Sequence, residues 1–136
     1  AGIKRLIASV NGWKINLQIC YDLRFPVWAR QQSETEYDVL IYVANWPKIR
    51  SHAWKSLLVA RAIENQCYVV GVNRVGNDGN NIYHSGDSMV IDPLGEVLYT
   101  QADKEDIFTT LVQKENLDAI RNKFPFGRDA EDFKLL

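Results

Sequence analysis

Cysteine is scarce in this 136-residue chain, which holds only Cys20 and Cys67. Two cysteines so far apart supply neither a disulfide framework nor a metal-ligand spacing. Both lie in apolar runs, which fits reduced thiols in a cytoplasm. Histidine is equally rare, and His52 and His84 are too few and too distant in sequence to suggest a zinc site. An excess of one charge is missing too. Sixteen Lys and Arg face 17 Asp and Glu, for a net charge of −1, and no basic block stands out. Nucleic acid and anionic membranes want a basic face, so neither is an expected partner. No apolar run approaches the roughly 20 residues of a membrane-spanning helix. The first residues, Ala1-Gly2-Ile3-Lys4-Arg5, carry no signal-peptide core. Repeats, linkers and low-complexity stretches are also lacking, so the chain reads as one domain with one core.

What is present is an alternation of strands and helices. Ile3–Ser9 reads as a strand, and Asn11-Gly12 is a strong hairpin turn. Trp13–Ile19 then alternates Trp13, Ile15, Leu17 and Ile19 with Lys14, Asn16 and Gln18, the period of a half-buried strand whose apolar face turns inward. Pro26 suits the first turn of a helix reaching about Gln32. Asp38–Ala44 is nearly continuous and apolar, as in a strand buried on both faces. Ser51 is a candidate N-cap for a helix to about Gln66, with a stripe of Trp54, Leu57, Leu58, Arg61 and Ile63. Cys67–Val72 is another buried strand, and Val75–Asn81 reads as a loop. Ser88–Asp92 and Val97–Thr100 flank the tight turn Asp92-Pro93-Leu94-Gly95. Ile107–Val112 reads as a last strand, a short helix runs from about Asn116 to Lys123, and an irregular tail continues to Leu136. The pattern predicts an α/β domain, helices covering a mixed sheet.

Cys20 sits where a strand stops and polar residues begin, in Ile19-Cys20-Tyr21-Asp22-Leu23-Arg24-Phe25-Pro26. A nucleophile profits from that place. The strand fixes the sulfur, the turn exposes it, and the next backbone N–H groups can face a developing oxyanion. Position alone favours a structural cysteine over a nucleophile, since free Cys is among the most buried residues. Cys67 takes that structural reading more firmly. A thiol near neutrality also needs a base or a cationic neighbour, and neither histidine is near Cys20 in sequence. Asp22 with Arg24 reads as a salt link bracing the turn. Arg61, Glu64 and Asn65, three and four apart, read as a structural polar cluster on one helix. Trp54 reads as core.

The run Cys20–Pro26, CYDLRFP, resembles the nucleophile motif of the nitrilase superfamily, the carbon–nitrogen hydrolases. Further resemblances follow in order: Val43–Pro47, then Trp54 with Arg61-Ala62-Ile63-Glu64-Asn65 and Cys67-Tyr68-Val69, then Asn73-Arg74-Val75-Gly76, then Gly86-Asp87-Ser88 through Asp92-Pro93-Leu94-Gly95-Glu96. Five motifs in order over about residues 3–112 make a specific signal. Cys-Tyr-Asp and Asn45-Trp46-Pro47 followed by Arg50-Ser51 resemble the bacterial omega-amidase (2-oxoglutaramate amidase) branch. Val27-Trp28 stands where many relatives carry a glutamate after Phe-Pro.

The resemblance implies a four-layer αββα sandwich, of which this chain supplies one half as the C-terminal part of a single domain. It implies a Glu-Lys-Cys triad in which Cys20 is the nucleophile, with the glutamate and lysine in an upstream part that precedes Ala1. The backbone N–H of Tyr21 shares the oxyanion with that lysine. The implied substrate is a small linear amide with a far carboxylate, of the 2-oxoglutaramate or succinamate type, cleaved to acid and ammonia. Arg50 and then Arg74 are candidates to hold that carboxylate, with Trp46 as an apolar wall, although a surface or loop-fixing role suits each arginine as well. Asp22, Arg24 and Glu64 are expected as structural residues near the site. No metal or cofactor is implied, and a homodimer pairing through helices is. Two alternatives stay open: another amidase or carbamoylase of the superfamily, and a non-catalytic interaction domain of the same fold.

Overall fold

The computed structural model describes residues 4–133. Ile3, where the first strand was expected to begin, and the last three residues of the tail lie outside that range. Seven strands form one mixed sheet: β1 (Leu6–Val10), β2 (Trp13–Ile19), β3 (Val39–Ala44), β4 (Tyr68–Asn73), β5 (Val75–Asn77), β6 (Tyr83–Ile91) and β7 (Val97–Ala102). The spatial order is β1-β2-β3-β4-β6-β5, with β7 on the other side of β6. Asn11 and Gly12 both take positive φ, 47° and 82°, as a tight hairpin demands, and they join antiparallel β1 and β2. β2, β3 and β4 run parallel, so their C-terminal ends share one edge of the sheet. The helices are α1 (Pro26–Ala29), α2 (Ser51–Asn65) and α3 (Lys114–Lys123).

The core lies between the sheet and α2. Leu23, Tyr37, Leu40, Tyr42, Trp54, Leu58, Ala62, Val69 and Ile91 are fully buried there. Gly71 sets how closely α2 approaches. A Cβ on it would stand 2.5 Å from a Leu58 methyl and 2.8 Å from the Trp54 ring. The inward stripe of α2 is Trp54, Leu58, Arg61, Ala62 and Asn65, a cleaner 3.6-residue period than the expected one. Leu57 is half-buried and Ile63 is exposed, resting against the Gly95 turn. Arg50 rather than Ser51 holds the N-cap position.

Several expected elements change. β2 keeps its period of two but shows the opposite face to the helices: Asn16 and Gln18 are buried, whereas Leu17 and Ile19 are 43% and 66% exposed. The apolar face points away from α2. Cross-strand register aligns Ile15 with Val39, Leu17 with Ile41 and Val70, and Ile19 with Val43 and Val72 into one apolar sheet face that no helix covers among the described residues. For the same reason β3 is buried on one face only, through Leu40 and Tyr42, and Val43 is exposed.

Helix α1 stops at Ala29, not Gln32, because Gln31 is taken by the end of α2. Its backbone N–H donates to Asn65 Oδ1 and its side-chain amide to the carbonyls of Tyr37 and Asn65. Val75–Asn77, expected as loop, pairs antiparallel with the first residues of β6, closed by Asp78 accepting from the N–H groups of Asn80 and Ile82. β6 starts five residues earlier than expected and carries a bulge between Gly86 and Ser88.

Ile107–Val112 is not a strand. No sheet edge meets its backbone among the described residues, Phe108 stacks on Tyr99 at 3.9 Å between centroids, and Ile107 and Leu111 stand almost wholly exposed. α3 begins at Lys114 and docks by ions as much as by its buried Leu117. Lys114 Nζ and Arg121 Nη1 reach the buried Asp38 carboxylate at 2.9 and 3.2 Å. No helix of the described residues is long and apolar enough to cross a membrane.

Candidate active site

Open α/β sheets place reactive groups beyond the C-terminal ends of parallel strands. Three such ends meet here: β2 leads to Cys20, β3 to Trp46, and β4 to Asn73 and Arg74. The chain makes a sharp change at Cys20. Ile19 is still extended, Cys20 has φ 42°, and a 3-10 turn follows over Cys20–Arg24. A left-handed backbone at a non-glycine residue is a local strain that the surroundings must hold.

Two contacts hold it. Asp22 Oδ2 accepts the backbone N–H of Ile19 at 3.0 Å, folding the turn back on the strand. From α2, Arg61 Nη2 donates to the carbonyl of Leu23 at 2.7 Å while its Nη1 pairs with Glu64 at 2.9 Å. Asp22 therefore touches the turn directly, and Glu64 only through Arg61. The expected Asp22–Arg24 link does not form; Arg24 instead lies over the Trp46 ring, 4.8 Å from its centroid.

Cys20 itself is half-buried against the core, with a free thiol. Tyr21, the second residue of the turn, has no acceptor for its backbone N–H within a 3-10 helix. Its ring is 65% exposed and meets Phe25 edge-on. The other thiol contrasts with this one. Cys67 is fully buried, and burial pushes its pKa well above the ordinary thiol value, so no thiolate forms there near neutrality. His84 is buried with Nδ1 on the carbonyl of Ile82, and His52 is exposed on α2. Neither is hydrogen-bonded to Cys20 among the described residues. The described residues also hold no cluster of three or more His, Cys, Asp or Glu able to bind a metal.

Trp46 is 3% exposed, packed at 5.7 Å from Trp54, with its indole N–H donating to the carbonyl of Arg50 at 2.8 Å. It is thus a loop anchor rather than an open wall within these residues. Arg50 is exposed, and its guanidinium has no ion pair among the described residues. Arg74 is exposed and donates to the carbonyl of Asn77 at 2.7 Å, which ties it to the β5–β6 hairpin. The sequence reading passed over two features. One is Asn73, whose side chain joins the Trp46 backbone to Gly86. The other is the rim cluster of Lys48, Tyr83 and Asp103, in which the tyrosine hydroxyl donates to Asp103 at 2.7 Å and Lys48 sits 3.5 Å from the same carboxylate. Nothing local in sequence marks that cluster; the polar Asn ending an apolar strand was the available signal for Asn73.

Among the described residues the arrangement offers one accessible cysteine sulfur on a braced turn, a backbone donor without a helical acceptor beside it, and a cation without an ion pair on a neighbouring loop. The chain is 49% identical to omega-amidase YafV of Escherichia coli K12 over 99% of its own length and 52% of that protein's. It is 40% identical to 2-oxoglutaramate amidase of Bacillus subtilis over 89% of its length and 46% of that protein's. Among solved structures, XC1258 of Xanthomonas campestris, a CN-hydrolase superfamily protein with an arsenic adduct in its active site, matches with a TM-score of 0.97 and 46% identity, covering all of this chain and 54% of the other. Nit3 of Saccharomyces cerevisiae, of the nitrilase superfamily, matches with a TM-score of 0.82 and 26% identity over 91% of this chain and 46% of the other. The chain spans about half the length of the relatives it matches. With the carbon-nitrogen hydrolase model matching residues 4–122, this chain belongs to the carbon–nitrogen hydrolase family.

Proposed function

We propose that this chain is the cysteine-bearing half of an amidase that hydrolyses the terminal amide of a small carboxylate-bearing substrate, of the 2-oxoglutaramate or succinamate type. The observation that carries the reading is Cys20, half-buried in a left-handed backbone where parallel β2 ends. Its relatives named omega-amidase and 2-oxoglutaramate amidase support the substrate class. The uncovered apolar face, with Leu17, Ile19, Val43 and Val72 exposed, supports a second sheet layer supplied by an upstream part of the same protein. That part is proposed to bring the glutamate and lysine.

The chemistry follows. The upstream carboxylate takes the Cys20 proton, and the thiolate sulfur bonds to the amide carbon. The backbone N–H of Tyr21 and the lysine ammonium stabilise the oxyanion. The C–N bond breaks as the glutamic acid returns the proton, releasing ammonia and leaving a thioester. Water, deprotonated by the same carboxylate, attacks the thioester carbonyl; the C–S bond breaks, the glutamic acid returns the proton to the Cys20 sulfur, and the acid product departs. The exposed guanidinium of Arg50 is the first partner for the far carboxylate, and Arg74 the second. The exposed Val27 and Ile63, on α1 and α2, support homodimer pairing through the helices. Two unpaired cysteines support a reducing cytoplasm.

Ammonia release from 2-oxoglutaramate, succinamate and propionamide tests the reading in the intact protein. The two acid-bearing amides are expected to be cleaved and the uncharged one poorly. Cys20→Ala is expected to abolish turnover with the fold unchanged. Cleavage of propionamide with inert acid-bearing amides, or retained turnover in C20A, overturns the proposal.

A further inference from the structure

Asn73 is the last residue of β4 and only 8% exposed. Its side chain continues the sheet where the backbone has stopped. Trp46 N–H donates to Asn73 Oδ1 at 2.7 Å, and Asn73 Nδ2 donates to Trp46 O at 3.0 Å, the two-point pairing that a neighbouring strand residue would give. The second Nδ2 proton goes to the carbonyl of Gly86 at 2.7 Å, beside the β6 bulge. Asn73 is held in turn by Ser88, whose hydroxyl accepts its backbone N–H at 3.0 Å. Two donors and one acceptor on one short planar group are what this place uses, and only an amide supplies them.

The loop that Asn73 grips is closed on itself. Trp46 Nε1–H donates to Arg50 O at 2.8 Å and Arg50 N–H to Pro47 O at 3.0 Å, so residues 46–50 form a compact unit. Arg50, which has no ion pair among the described residues, closes that unit beyond the end of β3, at the sheet edge where β2 leads to Cys20. The Cys20 turn is held separately, by Asp22 and Arg61. We infer that Asn73 is a positioning residue which ties the 46–50 loop to the sheet and so sets where Arg50 meets the carboxylate end of the substrate, without setting the reactivity of Cys20. The inference rests on the amidase reading above. Loss of the amide leaves two buried backbone groups of Trp46 unpaired and frees the unit to shift.

The test compares Asn73→Ala with wild type in the intact protein. KM for succinamate is expected to rise about tenfold while kcat, and KM for uncharged propionamide, stay within about threefold. The rate of Cys20 alkylation by iodoacetamide is expected to stay within about twofold. Hydrogen exchange supplies a readout that needs neither substrate nor variant. In the wild type the Trp46 amide is expected to be as protected as the β3 amides, and in N73A protection falls over residues 45–50 but not in β2. An unprotected Trp46 amide in the wild type overturns the inference even if N73A does not fold. So do an unchanged KM for succinamate in folded N73A, and alkylation that slows in step with turnover. Wild type inert toward every amide overturns the amidase reading and the substrate role together, whereas active wild type with an indifferent N73A overturns this inference alone.

Discussion

Replacing Arg61 by Met isolates the brace that α2 supplies to the Cys20 turn. Methionine keeps most of the apolar stem that packs in the core and deletes the guanidinium. The Leu23 carbonyl then loses a buried charge-assisted hydrogen bond of 2.7 Å, worth about 1.5–3 kcal/mol. The ion pair to Glu64 adds less, because the Glu64 side chain is 30% exposed; about 0.5 kcal/mol is the scale for such a pair. Against this, Arg61 Nε has no partner among the described residues, and removing a buried charged group regains part of its desolvation cost, about 1 kcal/mol or more. The net expectation is a loss of roughly 2 kcal/mol, read as a lower urea midpoint at unchanged slope. Activity is expected to fall further than stability alone explains, since a displacement of about 1 Å at a nucleophile can cost on the order of a hundredfold. Glu64→Gln is the control, expected to cost under about 1 kcal/mol and little activity. The reasoning is refuted if R61M matches wild type in midpoint and kcat, and equally if E64Q is as damaging as R61M, for then the ion pair and not the carbonyl contact would be holding the turn.

Gly71→Ala is expected to destabilise by about 1–3 kcal/mol, by forcing α2 off β4; wild-type stability in a denaturant titration would contradict the close approach to Leu58 and Trp54. Asp38 links stability to pH. Burial alone would raise its pKa, but the Lys14 backbone N–H and the charges of Lys114 and Arg121 outweigh that and hold it below the usual 3.8. A depressed folded pKa means the contribution is complete above about pH 4 and is lost as pH falls through the folded value. Wild type is expected to lose α3 docking in acid, followed by proteolysis near Lys123, and Asp38→Asn to show weakened docking already at neutral pH with a flatter acid limb; an unchanged acid limb in D38N would contradict this.

The fold class was legible because strands and helices here differ in period and in length. The nearly continuous run Asp38–Ala44 could only be a strand, and the Asn11-Gly12 turn fixed the first hairpin. What was not legible was which side of the sheet the helices take. In β2 the alternation is correct, yet the buried residues are Asn16 and Gln18. Hydrophobicity marks a face that wants cover; it does not mark the face that α2 covers, and in this sheet those are opposite faces. Ile107–Val112 failed for a related reason. Its residues favour a strand, but a strand exists only where a neighbouring edge takes its hydrogen bonds, and among the described residues none does.

The site divides along the same line. The place of Cys20 was legible because it is local: a strand end and a turn in consecutive residues. Asp22 was legible for that reason, and Glu64 through its three-residue spacing to Arg61. Arg24 was misassigned, since pairing by adjacency pointed to Asp22, whereas the ring of Trp46, 22 residues on, is what it meets in space. Asn73 stood in a motif, but its role was not legible, because its partners are Trp46 in the loop after β3 and Gly86 within β6. Groups that act through covalent neighbours can be read along a chain, and groups that act by joining elements need the sheet to be assembled first. That ordering bears on how substrate preference can vary in this fold. The Cys20 turn and the 46–50 loop are held by different residues, Asp22 and Arg61 for one and Asn73 for the other, so the loop that carries Arg50 can be altered without disturbing the Cys20 turn.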